Sequence, residues 1–342
     1  MKLLRSIWAW LKRIFSFEEV LDYKPVETDT NPEIKTDKSK EETPVNPVNT
    51  DVPNTVEDTT NEPEITVTPT PKGIGFDQRF LPVPVPLPVV DRAADSLLHY
   101  KHFSIAMNPE RRMPYYTAVN IDAEKYNKLK DQIPSRKEIG DNWVKEPRIP
   151  DTAQLPESFY KFNDFDLGHM VRREDALWGN TLEEALAANN DTFYLTNAVP
   201  QHKDFNRNAQ RWKGLEDYAL KNARKNDLKV SVFSGCVFDE NDRKFEGVQI
   251  PGQFFKILVM VKQNGELSAT GYMIKQDDLI KDITERKVGF QYEQFKTYQV
   301  PISQIEEVTG LQFGLNEHDP LQKTRDVFVQ PAAIDDYEDI VF

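Results

Sequence analysis

The sequence predicts an α+β fold built around a central, largely antiparallel sheet flanked by helices, and three observations predict it. Apolar, β-branched and aromatic runs recur through residues 102–121 and 228–274, separated by turn residues and too short for buried helices. Two of them meet at Gln263-Asn264-Gly265, a hairpin signal, because Asn and Gly tolerate the positive φ that tight turns demand. Helical spacing is sustained over one long stretch, residues 207–224, where Trp212, Leu215, Tyr218, Ala219 and Ala223 recur every three or four positions. Strands clustered in runs, not alternating one by one with helices, favour antiparallel pairing.

The elements follow in order. On a helix of about 100° per residue, Leu3, Leu4, Ile7, Trp8, Trp10, Leu11, Ile14, Phe15 and Phe17 share one half of the wheel. Lys2, Arg5, Lys12 and Arg13 occupy the other half, so residues 1–23 read as a basic amphipathic helix. Lys12 and Arg13 interrupt the apolar run and no small-residue cleavage site follows, which argues against a cleavable signal peptide. Such a helix suits in-plane contact with a membrane surface through residues 1–21, or docking on a partner or on its own domain. Residues 24–72 carry 11 acidic and five basic side chains among Thr, Pro and Asn, and read as a disordered linker. The globular part spans 73–342 and opens with an extended arm at 80–90, Phe80-Leu81-Pro82-Val83-Pro84-Val85-Pro86-Leu87-Pro88, since each proline fixes φ and removes a donor. An arm crossing the domain is favoured over a ligand for a proline-recognition module. Strands follow at 102–107 and 115–121 around Asn108-Pro109-Glu110-Arg111, then at 193–196, 228–238, 254–262 and 266–274. Residues 300–311 read as a short strand and then a helix.

Composition narrows the function. The net charge of −13 is unusual for a partner of nucleic acid, whose phosphates call for Lys and Arg, so any such contact rests on a local basic patch and a metal ion. The single cysteine, Cys236, lies in an apolar run and reads as a buried strand thiol. No apolar stretch reaches the roughly 20 residues that span a bilayer.

The chemistry concentrates in Asp166-Leu167-Gly168-His169-Met170, answered about forty residues later by Asn206 and Glu216. An imidazole deprotonates water near neutral pH. An amide oxygen holds a hard divalent cation without adding charge beside a phosphate, and a nearby carboxylate fixes that cation's waters. His169 stands out among five histidines because Gly168 precedes it and Arg172, Arg173, Glu174 and Asp175 follow. His102 and His318 suit structural or solvent roles, and Trp178 and Trp212 read as core.

Asp-x-Gly-His-Met, Arg172-Arg173-Glu174-Asp175 with Trp178-Gly179, Thr196-Asn197-Ala198-Val199-Pro200-Gln201, and Phe205-Asn206-Arg207 with Trp212 and Leu215-Glu216-Asp217-Tyr218 occur in this order. Together they resemble the DNA/RNA non-specific endonucleases, a family of the ββα-metal (His-Me finger) superfamily that includes mitochondrial endonuclease G. The resemblance runs from about Gly73 into the C-terminus, where Asp339-Ile340-Val341 also looks like a bacterial branch of the family. It implies a ββα-metal nuclease fold and sequence-indifferent hydrolysis of DNA and RNA with Mg²⁺ or Mn²⁺. By the same resemblance His169 is the general base, Asn206 the single protein ligand of the ion, and Glu216 the carboxylate that positions the ion's water. Asp166 would buttress the loop or orient the imidazole.

Two positions depart from the family. Leu167 stands where Arg is usual, so another cation must meet the phosphate, and Arg111 or Arg112 together with Arg173 are the candidates, with Arg172 also near in sequence. Asn206 and Glu216 are ten apart where eight is common; Asn208 restores eight, but Asn206 is preferred because it follows Phe205 in the Phe-Asn-Arg context. A catalytically weak binding or interaction module is the alternative reading. The sequence leaves the oligomeric state open.

Overall fold

The structure, a computed structural model, describes residues 75–90, 97–207, 212–280, 297–322 and 332–334. The expected amphipathic helix at 1–23, the linker at 24–72, Asn208 and Asp339-Ile340-Val341 lie outside the described residues. The strands are β1 (Leu97–Tyr100), β2 (Phe103–Asn108), β3 (Met113–Asp122), β4 (Phe165–His169), β5 (Ala198–His202), β6 (Lys229–Val237), β7 (Arg243–Phe245), β8 (Val248–Ile250), β9 (Gln253–Val261), β10 (Leu267–Lys275), β11 (Thr297–Val300) and β12 (Ala332–Ile334).

Eight of them form one sheet in the order β1-β2-β3-β6-β9-β10-β11-β12, with every neighbour antiparallel. The expected antiparallel sheet is therefore present, and β2–β3 and β9–β10 close at the two predicted turns. Gly265 takes φ +83° in the second of these, which explains the glycine. The strand expected at 193–196 is displaced. Leu195–Asn197 is a 3-10 turn and the strand begins at Ala198, because Asn197 is withdrawn from the ladder to bond the segment after His169. The long helix also starts later than 207. A short helix, Lys203–Asn206, ends there, and the main helix is Trp212–Lys225. Helices at Ala123–Leu129 and Leu182–Asp191, strand β4 and the edge strand β1 carry no clear periodic signal.

Both faces of the sheet are covered, which is why its strands read as apolar runs without clean alternation. On β9, Phe254 and Leu258 face one core, with Val232 and Tyr272; Phe255, Ile257 and Val259 face the other, with Phe233 and Ile305. The first core also holds Phe165, Met170, Val171 and Phe205, so the motif residues are packed on that side. The proline-rich arm covers the opposite side: Leu81 and Val85 are buried there, and Val89 bridges to Gln312. It is thus an ordered part of the domain. Cys236 is buried and unpaired, as expected, and burial pushes its thiol above the usual range. No helix among the described residues is long and apolar enough to cross a membrane.

Leu81 anchors the arm at 3% exposure, and truncating such a side chain removes transfer free energy and leaves a cavity. Leu81→Ala is expected to lower unfolding stability by about 2–4 kcal/mol, read as a shifted urea midpoint. An unchanged midpoint would mean that the arm does not support the domain.

Candidate active site

β4 and β5 pair antiparallel, Asp166 opposite Gln201 and Gly168 opposite Val199, with His169 at the end of the first strand opposite Ala198. The helices Lys203–Asn206 and Trp212–Lys225 follow the second strand. This is a ββα arrangement, with the three predicted residues His169, Asn206 and Glu216 on its successive parts. Gly168 allows a close approach: a Cβ there would displace the Gln201 carboxamide. Just past the strand, Asn197 fixes the chain. Its Oδ1 accepts from Val171 N at 2.8 Å, and its Nδ2 donates to Val171 O and Thr192 O.

His169 lies between aromatic rings, with Trp143 at 4.5 Å and Phe193 edge-on at 4.9 Å between centroids. Its Nε2 is buried without a hydrogen-bond partner among the described residues. Burial lowers its pKa to about 4; Glu174 and Asp141 oppose that shift, and Arg136 and Arg173 add to it. The imidazole is therefore neutral at pH 7. Asp141 ties the two arginines together: Arg136 Nη2 donates to it at 2.6 Å, and Arg173 Nη1 stands 3.7 Å away.

Asp166 does not orient the imidazole. Its carboxylate accepts from Asn206 Nδ2 at 3.0 Å and Arg207 Nε at 2.8 Å. That bond fixes the amide of Asn206 and leaves Oδ1 as the atom able to meet a cation.

Glu216 sits in a second, buried charge group. Lys256 Nζ lies 3.4 Å from its Oε1, and both side chains are nearly inaccessible. Burial raises the Glu216 pKa to about 7, against the opposing pull of Lys256 and Arg172, while Asp175 pushes it further up. Arg172 bridges the neighbourhood, donating to Glu174 Oε2 and Asp217 Oδ1, each at 2.7 Å.

The arginines are arranged differently from the expectation. Arg111 lies over the Phe238 ring and donates to Asp242 and to the carbonyls of Asp239 and Gln249. None of these belongs to the His169 group, so Arg111 is a clamp on the β7–β8 region. Arg112 adopts φ +58° in the same turn. Arg173 does reach the His169 group but is 5% exposed and donates to Asn189 Oδ1. The exposed guanidiniums near these residues are Arg136 and Arg207, which the sequence reading missed. It also missed Trp143, Asp141 and Lys256. A lysine inside the apolar run Phe254–Met260 was the one available signal, because such a side chain is buried only when paired. Leu167 packs partly buried against the first core. His102 stacks on Trp178 at 3.5 Å, and the indole donates to Asn120 O, so both are structural.

Fold and site together define a ββα nuclease-like domain. A family model for DNA/RNA non-specific endonucleases matches residues 89–319, and the chain belongs to that family. It is 37% identical over 264 residues to the uncharacterized protein y4fB of Sinorhizobium fredii, covering 70% of this chain and 39% of that protein. It is 26% identical to the mitochondrial nuclease 1 of Schizosaccharomyces pombe, with 70% of each covered. Against human mitochondrial endonuclease G it is 28% identical over 46% of this chain and half of that protein. A solved EndoG/EndoGI complex aligns with a TM-score of 0.49 at 20% identity, covering 67% of this chain and 88% of that one.

The two shifted groups bear oppositely on stability. His169 is depressed in the fold, so its contribution is present above pH 6.5 and is lost as pH falls through about 4. Glu216 is raised, so its contribution is present below pH 4.5 and is lost as pH rises through about 7. Urea midpoints measured from pH 4.5 to 7.5 should therefore show Glu216→Gln gaining on wild type as pH rises. Parallel profiles would remove Glu216 as a buried titrating group.

Proposed function

We propose that this chain is a divalent-metal-dependent endonuclease that hydrolyses phosphodiester bonds of DNA and RNA without sequence preference. The observation that carries the reading is the neutral, unpartnered Nε2 of His169, held by aromatic rings on the same short strand whose Asp166 fixes Asn206. Family membership supports it.

The residues fit a largely hydrated ion such as Mg²⁺ or Mn²⁺. Among the described residues no group of three or more His, Cys, Asp or Glu side chains could hold a metal. The amide oxygen of Asn206, left open by the bond from Nδ2 to Asp166, and the unpartnered Nε2 of His169 suit an ion that keeps most of its waters. When bound, the ion neutralises charge on the scissile phosphate and the leaving oxygen. His169 takes the proton of the attacking water at Nε2, and an arriving phosphate strengthens it as a base because a negative charge favours imidazolium. Arg136 and Arg207, not the Asp242-bound Arg111, are the cations able to turn from carboxylate partners to phosphate oxygens. Glu216 orders water through its carboxylate, with Lys256 favouring the ionised form. Backbone phosphate, not base edges, is the chief point of contact, which accounts for low sequence preference.

Leu167 favours the second reading, a weak nuclease serving as a binding or interaction module. Cleavage of supercoiled plasmid and structured RNA separates the two. Wild type is expected to degrade both in Mg²⁺ and neither in EDTA, with His169→Ala slower by about 10²–10⁴-fold. Inert wild type in both Mg²⁺ and Mn²⁺ would favour the binding module. In the same assay Asn206→Ala should abolish metal-dependent cleavage; loss in Asn208→Ala alone would move the ligand to Asn208.

We further propose that residues 1–21 bring the domain to anionic membrane surfaces, on the strength of their basic amphipathic pattern. The full chain should float with phosphatidylserine vesicles while a chain lacking residues 1–23 stays behind. Equal behaviour of the two would refute membrane contact through this segment.

A further inference from the structure

We propose that the cleft between the helices Arg136–Ile139 and Leu182–Asp191 is a nucleobase site, which receives an unpaired base of the strand being cut at His169. The inference rests on the nuclease reading for its second half only, since base binding can be measured without cleavage.

The cleft is a half-open groove of about 690 Å³, a volume typical of sites for small organic ligands, roughly 300–1,000 Å³. Its walls are apolar and aromatic, from Ile139, Val144, Leu186 and Tyr194, and two carboxamides, Asn142 and Asn190, lie among them. Val144 is 45% exposed there, an apolar side chain left facing water. Flat heteroaromatic rings gain most from such a surface, because every base presents a π-face and an edge of donors and acceptors. A carboxamide carries both a donor and an acceptor, so Asn142 and Asn190 can meet the edge of any base. That matches an enzyme indifferent to sequence.

Charge excludes the phosphate itself from this space. No Lys or Arg is among the lining residues, whereas Glu138 and Asp191 are. Both carboxylates already have structural duties: Glu138 completes the cap at Ser135, and Asp191 accepts from Lys101 N at 2.9 Å. The cations stand outside the lining: Arg136, on the same short helix as Glu138, bonds Asp141, and Lys101 and Arg148 act on Asp191. An uncharged base inside and a phosphate outside is the arrangement this charge pattern favours.

Phe193 connects the cleft to the reaction centre. It lines the cavity and also meets the His169 imidazole edge-on at 4.9 Å. A base in the cleft is therefore one ring away from the imidazole. A base stacked in a duplex must first unstack to enter, at a cost of about a few kcal/mol, so the site predicts faster cutting of single strands, loops and frayed ends.

The test is binding in EDTA, with fluorescein-labelled octathymidylate compared against an abasic octamer of the same backbone charge by anisotropy. Wild type is expected to bind the base-bearing strand about tenfold more tightly. Val144→Trp, which fills the cleft from an exposed position, and the double variant Asn142→Ala/Asn190→Ala should erase that preference while keeping the affinity for the abasic strand. Equal wild-type affinities, or a preference that survives in both variants, would overturn the nucleobase site. Hydrolysis of bis(p-nitrophenyl) phosphate in Mg²⁺, a diester with no base, is run alongside. Wild type inactive on that diester and on nucleic acid, yet retaining the binding preference, would sink the nuclease reading and leave the cleft intact. Val144→Trp slowing diester and oligonucleotide equally would count against the cleft.

Discussion

The candidate site hangs on the close contact between Gly168 and Gln201 across the β4–β5 pair. With glycine at 168, the Gln201 carboxamide lies against the strand in the register that places Asp166 opposite Gln201 and His169 opposite Ala198. A slip of one residue would turn each side chain to the other face. Asn197 then secures the chain beyond His169 by bonds to Val171 and Thr192. From those constraints the imidazole acquires its aromatic walls, and Asp166 acquires Asn206. The Gln201 carboxamide, buried with neither polar atom partnered among the described residues, is the local cost of that packing.

Two titratable groups in this region are driven in opposite directions by the same force. Burial takes His169 down to about 4 and Glu216 up to about 7, each toward its neutral form. What differs is the contact: charges of both signs surround each group, but Glu216 has Lys256 at 3.4 Å, whereas Nε2 of His169 has no hydrogen-bond partner among the described residues. Separated titration of neighbouring groups is how one site can supply a base and an ordering carboxylate at one pH. The acidic balance of the whole chain says little about this, since the cations that matter are matched to carboxylates one by one.

Much of the architecture was legible in the sequence because burial on both faces makes strands into apolar runs and because Asn264-Gly265 can close a hairpin. The Asp-x-Gly-His-Met segment marked the site for a local reason, the tight fit at Gly168. What escaped was non-local. β4 is too polar to read as a strand and is formed by pairing with a segment over thirty residues away. The displaced start of β5 follows from side-chain bonds of Asn197, which no periodicity reports. The turn that holds Arg111 suggests a phosphate contact, but its partner Asp242 lies far along the chain, outside the His169 group. Arg136 joins the group only because the loop after it folds Asp141 and Trp143 against His169.

The order of the large sheet carries a last consequence. β3 and β6 are adjacent, with Asp122 paired to Lys229, yet β4, β5 and the intervening helices all lie between them in sequence. The reactive region is thus a cassette whose entry and exit are neighbours on a continuous sheet. Lengthening or shortening it changes one loop closure, whose cost grows only slowly with length, and leaves the ladder on either side intact. Such an insert can be remodelled for new substrates while the sheet persists unchanged, and relatives are expected to differ most in length between these two strands.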